Sequence, residues 1–129
     1  MTPGTRACVA YVVGRVVLSD AGAGVRDCES GVVHRISGTI RGNRVGLYDY
    51  ERRCNVAGTL AQLHDDGAGS GLELNLDDFL FDGRDLGTGR AFSGWVSEQD
   101  IHLLDDAESR VFVYTLLRAD AVAPGARKT

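Results

Sequence analysis

The chain has 129 residues, of which 43% are hydrophobic and 25% are charged, which is typical of one soluble globular domain. Its net charge of −4 argues against nucleic-acid binding, because such proteins usually carry a basic patch. No apolar run reaches the roughly 20 residues that span a bilayer. The three cysteines, Cys8, Cys28 and Cys54, form no C-x-x-C pair, so we expect reduced thiols in a cytoplasmic protein. We also expect no cofactor, no membrane partner and no nucleic-acid partner.

The first third of the chain is less regular than the rest. We interpret residues 7–13 and 15–19 as a first pair of strands, because arginines interrupt the apolar stretch that a signal peptide would need. No segment offers twelve residues of helical periodicity without glycine, so the sequence predicts no helix. Residues 20–33 break the later spacing, and the pattern does not fix their path.

From residue 29 onward a carboxylate recurs at the start of successive tight turns. Apolar residues alternate with polar ones on both sides of each turn, which indicates half-buried strands joined as hairpins. Residues 37–60 match residues 93–116 at a constant offset of 56, so a hairpin unit of about 20 residues repeats. The carboxylates, at spacings of 20, 16, 20 and 20 residues, are Glu29, Asp49, Asp65, Asp85 and Asp105.

This spacing predicts an all-β antiparallel up-and-down meander of about 10–12 short strands. We expect a closed barrel, with a two-sheet β-sandwich as the alternative, because a meander otherwise leaves two exposed edges. Glycines on the predicted inner face favour curvature or make room for a large neighbour such as Phe81. Residues 1–122 form the domain and residues 123–129 a flexible tail. The nine strands predicted after residue 33 are 34–41, 44–49, 54–58, 60–65, 70–76, 79–85, 90–97, 100–105 and 110–118.

Because successive side chains of a strand point to opposite faces, the positions of the turn carboxylates predict a polar ring at one end of the inner face. The residue five positions after each carboxylate shares its face, which adds a histidine, a thiol, a hydroxyl and two guanidiniums to the carboxylates. Below this ring the face is apolar, which is typical of a small-molecule site. Arg90 and Arg110 suit an anionic head group. The predicted ligand-binding residues are His34, Cys54, Asp49, Asp85, Arg90, Asp105 and Arg110.

Other interpretations of the ring remain open. Turn carboxylates accept backbone N–H groups and pair with arginines across a hairpin, and this role needs no ligand. The acidic turns match no EF-hand or calcium-repeat pattern, and the histidines and cysteines show no zinc-ligand spacing. His34 and Cys54 would have to meet at the mouth to act as a base and a nucleophile, and their spacing matches no catalytic motif.

Three classes of function therefore stay open. The first is a binding barrel for a small apolar or amphipathic ligand, with an apolar interior and a mouth lined by carboxylates and arginines. The second is an interaction or structural module, for which the outward-facing Trp95 and a sheet edge would be the surfaces, including for self-association. The third is an enzyme that uses the mouth residues. We rank binding first, since no catalytic constellation emerges.

Overall fold

The structure is a computed structural model that describes residues 1–118, which form one helix and ten strands. The helix precedes all the strands in the chain. The elements are α1 (Pro3–Leu18), β1 (Gly22–Asp27), β2 (Val33–Arg41), β3 (Arg44–Asp49), β4 (Cys54–Thr59), β5 (Gln62–Asp65), β6 (Ser70–Asp77), β7 (Leu80–Asp85), β8 (Arg90–Ser97), β9 (Asp100–Asp105) and β10 (Arg110–Arg118).

The ten strands form a closed antiparallel barrel. Each strand pairs with its neighbours in the chain, and β1 closes the sheet by pairing with both β2 and β10. The closed-barrel prediction is confirmed, and the nine strands predicted after residue 33 correspond to β2–β10. Closure leaves no unpaired strand edge among the described residues, so the sheet edge that the sequence offered for self-association does not exist there.

The prediction of two strands within residues 7–19 is wrong, because these residues lie in α1. Its N-terminus has two features typical of a helix start. Thr2 is the N-cap and accepts a hydrogen bond from the Thr5 N–H, and Pro3 occupies the first helical position. Its valine-rich sequence favours strands by propensity, but the surrounding barrel overrides that preference. The helix ends at Leu18, and its C-cap residue Ser19 adopts a left-handed conformation with φ 51°.

Helix α1 occupies the interior of the barrel. Every residue from Ala7 to Val13 is at most 1% exposed, so the helix is buried on all sides and lacks the polar stripe that makes an amphipathic pattern. This burial explains why periodicity failed to indicate it. Within residues 1–118 no helix is long and apolar enough to cross a bilayer.

The inward residues of the strands complete the core around α1, as the alternation predicts. Gly94 shows why glycine is needed on this face: a Cβ there would lie 2.6 Å from Phe81 Cζ and closer still to the His102 carbonyl oxygen. Glycine therefore lets an aromatic ring from the paired strand cover its backbone. The predicted inward residues that are buried include Ile36, Leu47, Val56, Leu63, Leu74, Phe81, Phe92, Leu103 and Tyr114.

The barrel has two distinct ends. The mouth is the end at which β1–β2, β3–β4, β5–β6, β7–β8 and β9–β10 are joined, and the N-terminus of α1 lies there. The far end carries the other turns and the C-terminus of α1. The predicted tail at residues 123–129 lies outside the described residues.

Candidate site at the mouth of the barrel

Four buried aspartates end β3, β5, β7 and β9 and form a ring at the mouth. Asp49, Asp65, Asp85 and Asp105 are at most 6% exposed. One oxygen of each, Oδ1, accepts the backbone N–H two residues later at 2.9–3.1 Å. This local bond fixes each carboxylate at the start of its turn and directs it to the barrel interior.

Asp27 holds the turn position that the sequence analysis gave to Glu29. Its Oδ1 accepts the N–H groups of Glu29 and Ser30 at 2.9 and 3.2 Å, which is the same turn bond that the four ring aspartates make. Glu29 lies inside the turn, exposed to solvent, and pairs with Arg110. Assigning Glu29 to the start of the turn was therefore wrong by two residues, because the irregular N-terminal spacing hid the register.

Arg52 neutralises two members of the ring. Its Nε donates to Asp49 Oδ2 at 2.6 Å, and its Nη1 lies 3.0 Å from the carboxylate of Asp65. The helix adds two donors: the Thr5 hydroxyl donates to Asp65 at 2.7 Å, and the Cys8 thiol lies 3.6 Å from Asp49 Oδ2. These contacts anchor α1 to β3 and β5, and they place negative charge near the positive end of the helix dipole.

Asp105 takes its positive partners from the start of the chain. The ammonium group of Met1 and Nη1 of Arg6 each lie 3.0 Å from Asp105 Oδ2. The Arg6 guanidinium also stacks over the ring of Phe112 at 3.8 Å, so this buried cation is held on one side by an aromatic face.

Asp85 differs from the other three aspartates. Its one side-chain hydrogen bond among the described residues is the turn bond from Gly87 N–H, and no arginine, lysine, histidine or terminal ammonium of residues 1–118 pairs with it. It is nevertheless 94% buried, since its exposed fraction is 6%. A buried carboxylate without a cation is costly for a fold, and Asp85 is the one ring carboxylate to which residues 1–118 supply no cation.

Asp85 lines a cleft of about 710 Å³ at the mouth. The cleft lies between the N-terminus of α1 and the turns that follow β5, β7 and β9. The polar residues Ser70, Thr88 and Glu108 also line the cleft, together with Met1 and Pro3.

Burial changes the titration of groups around Arg52. Desolvation and the neighbouring carboxylate of Asp49 raise the pKa of Cys8 well above its ordinary value, so this thiol stays protonated and donates. Burial opposes the charge of Arg52, but the hydrogen bonds to Asp49 and Asp65 outweigh it and raise its pKa. Desolvation also raises the pKa of Cys54. Neither cysteine is therefore an activated thiolate.

The structure brings three of the seven predicted site residues, Asp49, Asp85 and Asp105, into the ring. Arg90 and Arg110 lie outside it on the exposed rim, where Arg90 donates to the Asp106 carbonyl at 3.2 Å and Arg110 pairs with Glu29. Neither arginine is among the residues that line the cleft, so their predicted role in holding an anionic head stays a prediction.

His34 and Cys54 do not meet. They lie on β2 and β4, with β3 between them, and two strand spacings amount to about 10 Å. His34 Nδ1 is buried without a hydrogen-bond partner in the described part of the chain, and Cys54 lies beside Gly67 and Arg52. No hydrogen bond connects the pair in residues 1–118. The same residues hold no group of three or more potential metal ligands.

Sequence reasoning missed the residues that form salt bridges or hydrogen bonds with the ring carboxylates, namely Met1, Thr5, Arg6 and Arg52. The first three precede the strand predicted at residues 7–13, so nothing placed them at the mouth. The signal that would have found them is the Thr2-Pro3 pair, which is typical of a helix start. Arg52 follows Asp49 by three residues, a spacing that strand parity alone does not bring together.

Comparison with protein-family models, with curated proteins and with solved structures finds no match to this chain.

Proposed function

We propose that this barrel is a binding protein whose mouth cleft accepts a cationic group, with Asp85 as its counter-ion. The supporting observation is the contrast within the repeat. Asp49, Asp65 and Asp105 each lie within 3.0 Å of a cationic group of the same chain, whereas Asp85 has none in residues 1–118. A cation supplied from outside would complete the fourth position.

The cleft has the properties that such a ligand needs. Its volume of about 710 Å³ is within the usual range for small-molecule sites, roughly 300–1,000 Å³. Glu108 adds a second negative charge to its wall, and the chain as a whole carries a net charge of −4. Both increase the local concentration of cations near the mouth.

A small primary amine fits the chemistry of the wall best. An ammonium group has three donors, and the cleft offers Asp85 together with the hydroxyls of Ser70 and Thr88. The ring already holds one primary ammonium, that of Met1 at Asp105. Apolar atoms of Met1 and Pro3 would contact the carbon chain of the ligand.

This proposal differs from the expectation formed on the sequence in two respects. The apolar ligand was expected inside the barrel, where α1 now lies, so the proposed ligand sits at the mouth. An anionic head was expected at Arg90 and Arg110, whereas the group that lacks a partner is a carboxylate.

Isothermal titration calorimetry with short alkylamines tests the proposal. Wild type should bind butylammonium, and Asp85→Asn should weaken binding by about tenfold or more, because a charge-assisted hydrogen bond contributes roughly 1.5–3 kcal/mol. Asp82→Asn, which removes an exposed carboxylate on the same strand, is the matched control and should bind like wild type. Butyrate should not bind.

The proposal fails if no alkylamine, diamine or guanidinium compound binds to wild type at millimolar concentration. It fails equally if Asp85→Asn and Asp82→Asn bind amines as tightly as wild type does, since the cation would then bind elsewhere.

A further inference from the structure

The outer surface of the barrel is divided by charge. Residues 70–109, which span β6–β9 and their turns, contain eight carboxylates outside the buried mouth ring and two arginines. Residues 33–59, which span β2–β4, contain four arginines and one carboxylate apart from the mouth pair Asp49 and Arg52. In the closed ring of ten strands, β7 and β8 lie five positions from β2 and β3. The two charged sectors therefore lie on opposite sides of the barrel.

The acidic sector includes exposed carboxylates that form no ion pair within the described part of the chain. Asp77, Asp78 and Glu98 at the far end are exposed, and no salt bridge or side-chain hydrogen bond in the described part of the chain involves them. We call these three carboxylates, with Leu80 and Trp95, the acidic face. Leu80 and Trp95 are 48% and 41% exposed and are directly paired on the outer surface. Trp95 also stacks on His102 with ring centroids 4.6 Å apart.

Two residues of the acidic face occupy backbone positions that favour glycine. Asp78 and Glu98 have φ of 54° and 57°, and Gly42 holds the equivalent position of the β2–β3 turn with φ 59°. A side chain in this left-handed region is strained. The turn geometry does not require a carboxylate at this position, since Gly42 fills it in the β2–β3 turn.

The opposite side shows a comparable conflict. Arg41 and Arg44 face each other directly across the β2–β3 turn, and like charges at such a pair destabilise a hairpin. Neither forms a salt bridge or a side-chain hydrogen bond within residues 1–118. We call this pair the basic face.

We propose that the acidic face of one copy docks on the basic face of a second copy of this chain. The two faces have complementary unpaired charges, and the exposed Leu80 and Trp95 supply apolar contact area. Closure of the barrel excludes pairing through a strand edge. Because both faces lie at the far end, on opposite sides of the barrel axis, two copies that meet far end to far end place each acidic face on the basic face of the other, which gives a closed pair.

Sedimentation velocity with two charge-reversal variants tests this contact. One variant, Asp77→Lys/Glu98→Lys, reverses the acidic face, and the other, Arg41→Glu/Arg44→Glu, reverses the basic face. Each alone should remain monomeric where wild type associates. An equimolar mixture of the two should associate again, because the first retains a native basic face and the second a native acidic face. Asp66→Lys/Asp106→Lys changes the same number of exposed carboxylates elsewhere and should associate like wild type.

Salt provides a second measurement on the wild-type chain. The dissociation constant should rise by about tenfold or more between about 50 and 500 mM NaCl, because the contact depends on exposed charges. Far-ultraviolet circular dichroism should be the same for all four proteins.

The proposal is overturned if wild type stays monomeric at low salt, including the case in which it instead binds an arginine-rich peptide. It is also overturned if either reversal variant self-associates as wild type does, if the mixture stays monomeric, or if the control variant loses association.

Discussion

The guanidinium of Arg52 joins two consecutive hairpin units, with Nε 2.6 Å from Asp49 Oδ2 and Nη1 3.0 Å from the Asp65 carboxylate. The same side chain donates from Nη2 to the Cys8 sulfur at 3.4 Å. One residue thus neutralises two buried carboxylates and contacts the internal helix. The ring is therefore an ionic connection between the sheet and α1.

Replacing Arg52 should destabilise the fold strongly. Arg52→Met keeps most of the aliphatic stem but leaves Asp49 and Asp65, which are 1% and 0% exposed, without a cation. Loss of one partner of a buried pair costs about 3–5 kcal/mol, and we expect about 3 kcal/mol because Arg52 is 20% exposed. Urea denaturation measures the change. The exposed neighbour Arg53 is the control, and Arg53→Met should change stability by less than about 0.5 kcal/mol. Equal effects of the two substitutions would contradict this role.

Gly94 should tolerate no side chain. Gly94→Ala would place a methyl group 2.6 Å from Phe81 Cζ, and overpacking of this kind costs about 1–3 kcal/mol or more. Gly46→Ala is the matched control, since its Cβ would meet one atom, Thr39 Oγ1, at the ordinary distance of 3.9 Å. Thermal unfolding of the two variants compares them. A melting temperature for Gly94→Ala at or above that of Gly46→Ala would show that the glycine is not required for packing.

The buried thiol of Cys8 should make stability depend on pH in the alkaline range. Burial raises its pKa in the folded protein, whereas the thiol of the unfolded chain has a pKa of about 8.5. The stabilising contribution is fully present below that pH and is lost as the pH rises toward the folded pKa. Above about pH 8.5 the free energy of unfolding should therefore fall by about 1.4 kcal/mol per pH unit.

Urea denaturation at pH 7, 8.5 and 9.5 measures this slope. Cys8→Ala should reduce it between pH 8.5 and 9.5 but not abolish it, because burial also raises the pKa of Cys54. Cys28→Ala, which removes an exposed thiol, should retain the full slope. Tyr11 and Tyr114 also have pKa values raised by burial, and they add a fall of the same sign above about pH 10. Parallel curves for wild type and Cys8→Ala would contradict the assignment.

Most of the sheet could be predicted because its units repeat. Apolar residues such as Leu72, Leu74 and Leu103 alternate with polar ones along each strand, because one face of the sheet is buried. Both the strands and their inner face could therefore be assigned from the sequence. Closure also followed, since a meander of this length needs its edges covered.

Residue periodicity could not predict helix α1, although α1 supplies several of the groups that contact the ring carboxylates at the mouth. Val9, Val12 and Val13 are buried on every side of α1, so they carry no periodic signal and have the composition of a strand. Once α1 is inside the barrel, Thr5 and Arg6 reach the ring carboxylates. The turn chemistry placed Asp85 correctly at the mouth, but its lack of a cation depends on contacts from the helix that only the structure reveals.

The most direct test of the account compares the stability of Asp85→Asn with that of Asp105→Asn in the absence of added amine. Asp105 is paired with the Met1 ammonium and Arg6, so its loss leaves buried cations and should cost about 3 kcal/mol. Asp85 is buried without a cationic partner in residues 1–118, so Asp85→Asn should leave the free energy of unfolding unchanged or raise it by about 1 kcal/mol. Butylammonium should then stabilise wild type and leave Asp85→Asn unaffected. If Asp85→Asn is destabilised as much as Asp105→Asn, Asp85 is a structural ion-pair carboxylate like the others, and its assignment as the binding group is contradicted.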